Sequence, residues 1–199
     1  MHPNPAFRHD DRALFERLIR EIGFGMVFAT TPDGPRVAHV PIVSTGDGAV
    51  QFHLARGNAL ARHMDGMVAL AVVNGPDAYV SPRWYGEDPN QVPTWNYVAL
   101  EMEGPVRRMD RDGLFGLLEA LSAQEEAKLP PPAWTMEKSD PAYIEKLMGA
   151  IVGFEMEVQA WRPTFKLSQN KSADLREQVA AGLEEAGSHA MAAMMRGLV

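Results

Sequence analysis

The sequence contains no cysteine among its 199 residues. A chain without thiols cannot form disulfides, thiolate metal centres or iron–sulfur clusters, and it has neither a cysteine nucleophile nor a covalent haem attachment through C-x-x-C-H. Aromatic residues account for only 8% of the chain, and no apolar run reaches the roughly 18 residues of a membrane-spanning helix. Any redox chemistry therefore requires a bound cofactor, and no membrane association is expected.

Basic residues are also fewer than acidic ones. Lys and Arg number 19 against 26 Asp and Glu, which gives a net charge of −7. Nucleic acids and anionic membranes are bound largely through neutralisation of phosphates by basic side chains, so direct DNA binding is doubtful. The first residues lack the basic and apolar regions of a signal peptide, and we expect a cytoplasmic protein.

Several signature motifs are missing from the sequence. It contains no Walker loop, no G-x-G-x-x-G, no G-x-S-x-G and no H-E-x-x-H. These absences argue against a P-loop NTPase, a Rossmann dehydrogenase, an α/β-hydrolase and a zinc protease.

The remaining pattern is that of one mostly β domain. A hydrophobic content of 46% supports a single domain over residues 1–199. Strands are predicted at 26–31, 36–45, 49–54, 68–74, 78–81, 95–106 and 151–160, and helices at 10–22, 59–64, 110–126 and 141–148, with a helical tail at about 173–199. This order favours an antiparallel β-barrel with a helical insertion at about 110–148 over a doubly wound parallel sheet.

The end of the third predicted strand carries the first candidate site. Alternation places Phe52 and Leu54 on the core face and His53 on the other, where it is available to a ligand or solvent. Arg56 follows, and Asn58 is a candidate cap for the predicted helix at 59–64, whose free N–H groups would favour an anion. Arg56 is the leading phosphate ligand, although a helix cap with a surface arginine explains the same residues.

Two further segments carry polar groups near strand ends. His39 lies among apolar residues, which favours a hydrogen-bonded core histidine over a catalyst, and Pro41 indicates a strand edge, a bulge or a ligand-facing stretch. In residues 164–170, Lys166 and Ser168 project to the same side and could bind a phosphate or a carboxylate. Solvation, or an ion pair with a nearby glutamate, explains Lys166 equally well.

Aromatic residues cluster in 78–85 and 92–97, which hold two tryptophans and three tyrosines. Aromatic faces beside amide and hydroxyl groups suit a planar heterocycle. Ordinary packing at a barrel rim or subunit interface remains the alternative for any single residue.

These segments, taken in order, resemble the PaiB family. The resemblance rests on residues 2–7, 39–41, 53–58, 75–85, 92–97, 150–153 and 166–170. That family is described as FMN-binding negative transcriptional regulators with the split β-barrel fold of pyridoxamine-phosphate oxidases and flavin reductases.

The resemblance implies a homodimer with two FMN sites at the subunit interface. Arg56 and Asn58 would hold the phosphate, and the strand 37–41 with Ser81 would line the cofactor. The complete set of implied or candidate cofactor-binding residues is His39, Val40, Pro41, His53, Arg56, Asn58, Ser81, Thr94, Trp95, Asn96, Lys166, Gln169 and Asn170. Within this set, Thr94 to Asn96 would approach the flavin ring, and the last three residues could reach it from either subunit.

Family membership leaves the activity open, because function depends on the site and not on the fold. One hypothesis is an FMN-binding regulator that acts through a partner or through small-molecule chemistry. A second is a flavin-dependent oxidoreductase acting on a small molecule. A third is a haem-dependent enzyme of the piperazate-synthase type, in which His53 would be the axial ligand and the only metal-binding side chain. Arg56 and the polar rim favour FMN over haem.

Overall fold

The computed structural model of the protein describes residues 2–86 and 90–198. Across these residues the strands are β1 (Phe24–Thr31), β2 (Gly34–Ser44), β3 (Ala49–Ala55), β4 (Val68–Val80), β5 (Thr94–Arg108), β6 (Ile151–Glu157) and β7 (Ala160–Lys166). The α-helices are α1 (Arg12–Ile22), α2 (Arg111–Glu126), α3 (Pro141–Met148), α4 (Ala173–Glu185) and α5 (His189–Leu198).

The strands form one sheet in the order β4-β1-β2-β3-β6-β5-β7, and β4 also pairs with β5. The pairings with a resolved register are antiparallel. The additional pairing closes the order into a ring, which is the topology of an antiparallel barrel. The predicted fold class is therefore confirmed.

Period-two alternation explains why these segments form strands. In β3 the side chains of Val50, Phe52 and Leu54 are buried, whereas Gln51, His53 and Ala55 between and after them are partly or fully exposed. The opposing strand β6 buries Phe154, which stacks on Phe52 with ring centroids 5.8 Å apart. Burial of such side chains contributes about 1.5–3 kcal/mol each, so the register of these strands is strongly specified.

The predicted helix at 59–64 is wrong. Residues 56–63 form consecutive turns closed by short-range hydrogen bonds, such as the 2.8 Å bond from Asn58 N to Ala55 O. Leu60 and Met64 are fully buried and anchor the segment, and Gly66 ends it at a positive φ of 78°. A segment this short cannot offset the cost of helix nucleation, so side-chain burial decides its path.

Other boundaries also differ from the prediction. The strands expected at 68–74 and 78–81 are one continuous strand, β4, and the strand expected at 151–160 ends at Glu157. A separate strand, β7, follows it. The helical tail is confirmed and consists of α4 and α5.

The chain divides into two compact units. The first unit comprises Met1–Asp11, Asn74–Leu100 and Arg162–Val199, and the second comprises Arg12–Val73 and Glu101–Trp161. In the first unit α4 packs against the short 3₁₀ helix Pro82–Tyr85. Gly182 permits this contact, since a Cβ there would lie 2.5 Å from the indole Nε1 of Trp84.

The second unit has a core inside the sheet and an additional apolar layer beneath α2. In this layer Leu114, Leu117 and Leu121 of α2 cluster with Val43 and Met148. These three leucines recur at helical spacing, and the face of α2 that they form is the buried one. Gly104 and Glu157 meet so closely that a Cβ on Gly104 would collide with the Glu157 carbonyl oxygen.

No helix within the described ranges is both long enough and apolar enough to cross a membrane.

Candidate functional site

The end of β3 places Arg56 at an exposed position in the second unit. Its Nε donates to the carbonyl oxygen of Gly149 at 2.9 Å, and its Nη2 donates to that of Ile151 at 3.2 Å. These carbonyls follow α3, so the guanidinium holds the junction of α3 and β6. Because a guanidinium has five N–H donors in a fixed fork, donors on Nη1 remain for an anion after both bonds are made.

The turn that follows Arg56 provides further donors. Among the described residues, the backbone N–H groups of Gly57 and Ala59 have no hydrogen-bond partner. The Asn58 side-chain oxygen accepts from Leu60 N at 2.9 Å, which leaves its amide group free to donate. Backbone N–H groups beside an arginine are the donor set that phosphate prefers. The turn, rather than the helix end expected from the sequence, supplies these donors.

His53 points away from the barrel core, as predicted, but it does not face open solvent. Its opposite residue in β6 is Gly153, and α2 lies over this face with Leu114 beside Gly153. The His53 Nδ1 atom is buried and lacks a partner among the described residues. Burial lowers the pKa of His53 below its ordinary value of 6.5, because desolvation disfavours the charged imidazolium.

The interpretation of His39 as a core histidine is wrong. His39 is exposed on the outer side of β2, opposite Met26 of β1. Pro41 is half-buried on the same side. Val40 points the other way and is 1% exposed, so only its backbone could contact a ligand outside the sheet. His39 alternates with the buried Ala38 and Val40, and it is exposed on the outer side of the sheet.

In the first unit, Lys166 contacts the start of β5. Its Nζ donates to the hydroxyl of Thr94 and, at 2.6 Å, to the carbonyl oxygen of Trp95. Burial lowers the pKa of Lys166 below its ordinary value, while the two acceptors satisfy most of the ammonium's donors. The Trp95 ring is 54% exposed and lies edge-on to Tyr79, with centroids 6.2 Å apart. The structure thus brings together three of the residues assigned to the ring: Thr94, Trp95 and Lys166.

Several other predicted ligands in the first unit already have partners. The buried amide of Asn96 bonds the hydroxyl of Ser168 at 3.0 Å and the sulfur of Met195 at 3.3 Å. Both ends of the Gln169 amide bond backbone groups of its own turn, at Leu167 N and Phe165 O. Ser81 caps the 3₁₀ helix by accepting from Arg83 N at 3.4 Å. These contacts indicate structural roles, whereas Asn170 is exposed.

The turn around Ser168 has a specific backbone geometry. Ser168 has a φ of 61°, in the left-handed region that residues with a Cβ seldom occupy. Its hydroxyl is tied to Asn96 and its carbonyl accepts from Lys171 N at 2.9 Å. This conformation could not be predicted from the sequence, because serine is not a residue that usually adopts it.

The sequence also gave no indication of Arg108. It lies beside Arg56 around a cavity formed by α2, α3 and β6, although the two arginines are 52 positions apart in the chain. A basic residue at a strand end is unremarkable in the sequence, and only the fold brings it next to the predicted site.

Comparison with known proteins identifies the family. A sequence profile described as "Putative FMN-binding domain" matches residues 1–160. The chain is also 31% identical over 159 residues to the "Protease synthase and sporulation protein PAI 2" of Bacillus subtilis strain 168, covering 77% of this chain and 75% of that protein. This protein therefore belongs to the FMN-binding family of PaiB type, as the sequence segments predicted.

Solved structures share its fold at low identity. The FAD- and haem-binding protein of Mycobacterium smegmatis aligns with a TM-score of 0.61 at 18% identity, covering 87% of this chain and 79% of its own. A flavocytochrome of Azotobacter vinelandii aligns with a TM-score of 0.51 at 14% identity, covering 82% and 74% respectively. The family makes FMN the expected cofactor, and the donors of the 56–59 turn suit its phosphate.

Proposed function

We propose that this protein is an FMN-binding regulatory flavoprotein in which the turn after β3 holds the cofactor phosphate. The observation that carries the proposal is the cluster of donors at residues 56–59, where a fixed guanidinium adjoins backbone N–H groups that have no partner in the described part of the chain. A bound flavin would supply hydride or one-electron transfer. The protein's own residues would anchor the phosphate and set the position of the ring.

The regulatory role is proposed from the family and from the relative in Bacillus subtilis, whose name refers to protease synthesis and sporulation. The net charge of −7 disfavours direct contact with DNA, so regulation would act through a partner or a small molecule.

A flavin-dependent oxidoreductase would use the same cofactor site. Oxidation of NADH by the FMN-loaded protein, faster than by free FMN, would favour that alternative. A cytoplasmic location stays a prediction.

We also propose that the protein is a homodimer that pairs through the outer side of β1 and β2 in the second unit. Phe24, Phe28 and Val37 are 51%, 36% and 43% exposed on this side. Phe28 lies directly opposite Val37 in the register, so the exposed apolar groups are adjacent. Exposed apolar surface of this kind marks an interaction site, and a second copy of the chain is the occupant that the family resemblance implies.

The phosphate assignment is tested with Arg56→Ala. Loss of one charge-assisted contact should weaken FMN binding by roughly 1.5–3 kcal/mol, measured by quenching of flavin fluorescence in a titration. Arg62→Ala is the matched control, because Arg62 is an exposed arginine in the same series of turns. Circular dichroism would verify that the α3–β6 junction survives. An FMN affinity equal to wild type in a folded Arg56→Ala protein would remove Arg56 from the site.

Haem is a second candidate, favoured by the buried Nδ1 of His53, which has no hydrogen-bond partner within the described ranges. A neutral imidazole is the form that binds iron, and the lowered pKa of His53 maintains it. Leu114 and Met109 already fill the space beside Gly153, which makes FMN the preferred cofactor. Titration with haemin provides the test. A Soret band that saturates at one haem per chain and vanishes in His53→Ala would establish the haem assignment.

A further inference from the structure

Arg56 also contributes to a cavity in the second unit that the flavin proposal does not use. The cavity has a volume of about 390 Å³ and lies between the start of α2, the end of α3 and the first residues of β6. Its polar lining includes Arg56, Arg108, Arg111, Asp110 and Glu145. This volume is within the range of small-molecule sites.

Both carboxylates in the lining are already engaged. Asp110 caps α2 by accepting from Gly113 N at 2.8 Å. Glu145 receives two hydrogen bonds from the Arg111 guanidinium, one of them from Nε at 3.1 Å. This pairing lowers the pKa of Glu145 and raises that of Arg111. Glu145 is therefore matched by a cation, and Asp110 by the N-terminus of α2.

The cations are not equally engaged. Arg111 is paired with Glu145, and Arg56 is held by the carbonyl oxygens of Gly149 and Ile151. The Arg108 guanidinium has no hydrogen-bond or ion-pair partner among the described residues, while its backbone N–H is fixed by Asp65 at 2.7 Å. The cavity thus has a net positive charge in a chain whose total charge is −7.

The rest of the lining includes apolar side chains. Met109, Leu114 and Met148 line the same cavity, and Leu114 and Met148 belong to the buried layer beneath α2. A ligand that satisfies both the arginines and these apolar groups carries one anionic group on a compact apolar body. An unpartnered guanidinium presents parallel N–H donors that match a planar carboxylate in bidentate fashion.

We propose that this cavity binds a small organic carboxylate, with Arg108 as its principal ligand and Met109, Leu114 and Met148 contacting its apolar part. The cavity shares Arg56 with the proposed flavin phosphate site on the turn at 56–59, but Arg108 is not part of that turn. The proposal stands on the cavity and its arginines, so it does not depend on whether FMN binds as proposed.

The test is isothermal titration calorimetry with benzoate at low, constant ionic strength, on the full chain with and without saturating FMN. Wild type should bind one benzoate per chain, and Arg108→Gln should lower the affinity at least tenfold. Arg107→Gln is the matched control, since Arg107 is the adjacent residue and pairs with Glu155 at 2.5 Å instead of lining the cavity. Arg108→Lys keeps the positive charge but loses the parallel N–H donors of the guanidinium, so it should give an intermediate affinity.

Four results would overturn the proposal. The first is benzoate affinity in wild type no higher than in Arg108→Gln, and the second is an equal loss in Arg107→Gln. The third is an FMN affinity that falls in parallel with benzoate affinity in Arg108→Gln, which would assign the cavity to the flavin phosphate. Tighter binding of inorganic phosphate than of benzoate would also overturn the carboxylate assignment.

Discussion

At the scale of single residues, burial and existing hydrogen bonds decide which polar side chains remain available to a ligand. Asn96 and Gln169 have the chemistry of flavin ligands, but their amides are used inside the protein. Arg56 is only partly used, because a guanidinium has more donors than the two carbonyls occupy. Candidate ligands therefore differ from structural residues in whether their donors are already hydrogen-bonded within the protein, and not in residue type.

The buried imidazole of His53 should make stability depend on pH. Its pKa in the folded state is lowered from 6.5, so below about pH 6.5 the unfolded chain binds a proton that the folded chain does not. The free energy of unfolding should therefore fall as pH decreases through this range, and the loss should end once the folded-state pKa is passed. Urea unfolding of wild type and His53→Gln at pH 7.5 and 5.5 measures this contribution.

Comparison with His53→Gln cancels the effects of the other histidines. The free energy of unfolding of wild type minus that of the variant should be smaller at pH 5.5 than at pH 7.5. An unchanged difference at the two pH values would show that His53 titrates normally in the folded protein.

At the scale of elements, close backbone approaches fix how strands meet. A Cβ on Gly104 in β5 would collide with the carbonyl oxygen of Glu157 at the end of β6. Backbone atoms on both sides leave no flexible group to move aside. The strand pattern alone could not reveal this requirement, because glycine in a strand usually only weakens it.

Gly104→Ala should therefore be strongly destabilising, by about 1–3 kcal/mol or more, the range for overpacking. Gly57→Ala is the control, since among the described residues, its own chain neighbours aside, no atom lies within 4 Å of the Cβ that it would add. Its stability should stay close to wild type. Thermal unfolding followed by circular dichroism compares the two variants. Equal melting temperatures for Gly104→Ala and wild type would contradict the proposed contact.

At the scale of the whole molecule, the exposed apolar side of β1 and β2 predicts self-association. Phe28→Glu or Val37→Glu would place a charge among apolar groups at the proposed interface, where burial of an unpaired charge is costly. Light scattering after size exclusion should show a dimer for wild type and a monomer for these variants. Arg17→Glu is a suitable control, because Arg17 is exposed on α1. A monomeric wild type at micromolar concentration would refute the interface.

The family assignment also belongs to the whole molecule, because it depends on the order of many short segments. The profile match over residues 1–160 ends before α4 and α5. In the first unit, these two helices bury Val179, Leu183, Met191 and Met195. The tail is thus an integral part of its unit, although the family profile does not include it.

The sequence by itself determined most of the β-strands, the α1, α2 and α3 helices and the family, because alternating burial and helical spacing are local patterns. It also placed the His53 side chain on the outer side of the sheet, since strand alternation fixes the side on which a side chain lies. The roles of Arg56 and His53 as ligands stay predictions. It failed at residues 59–64, where two buried anchors outweigh helix propensity.

Only the tertiary structure decided what lies over each strand face and which distant residues meet. The same outer side of β2 is exposed at His39 and covered by α2 at Val43, and no local pattern distinguishes the two positions. Arg108 joins Arg56 because α2, α3 and β6 converge there. Such contacts depend on the path of the whole chain, so their chemistry appears only once the fold is known.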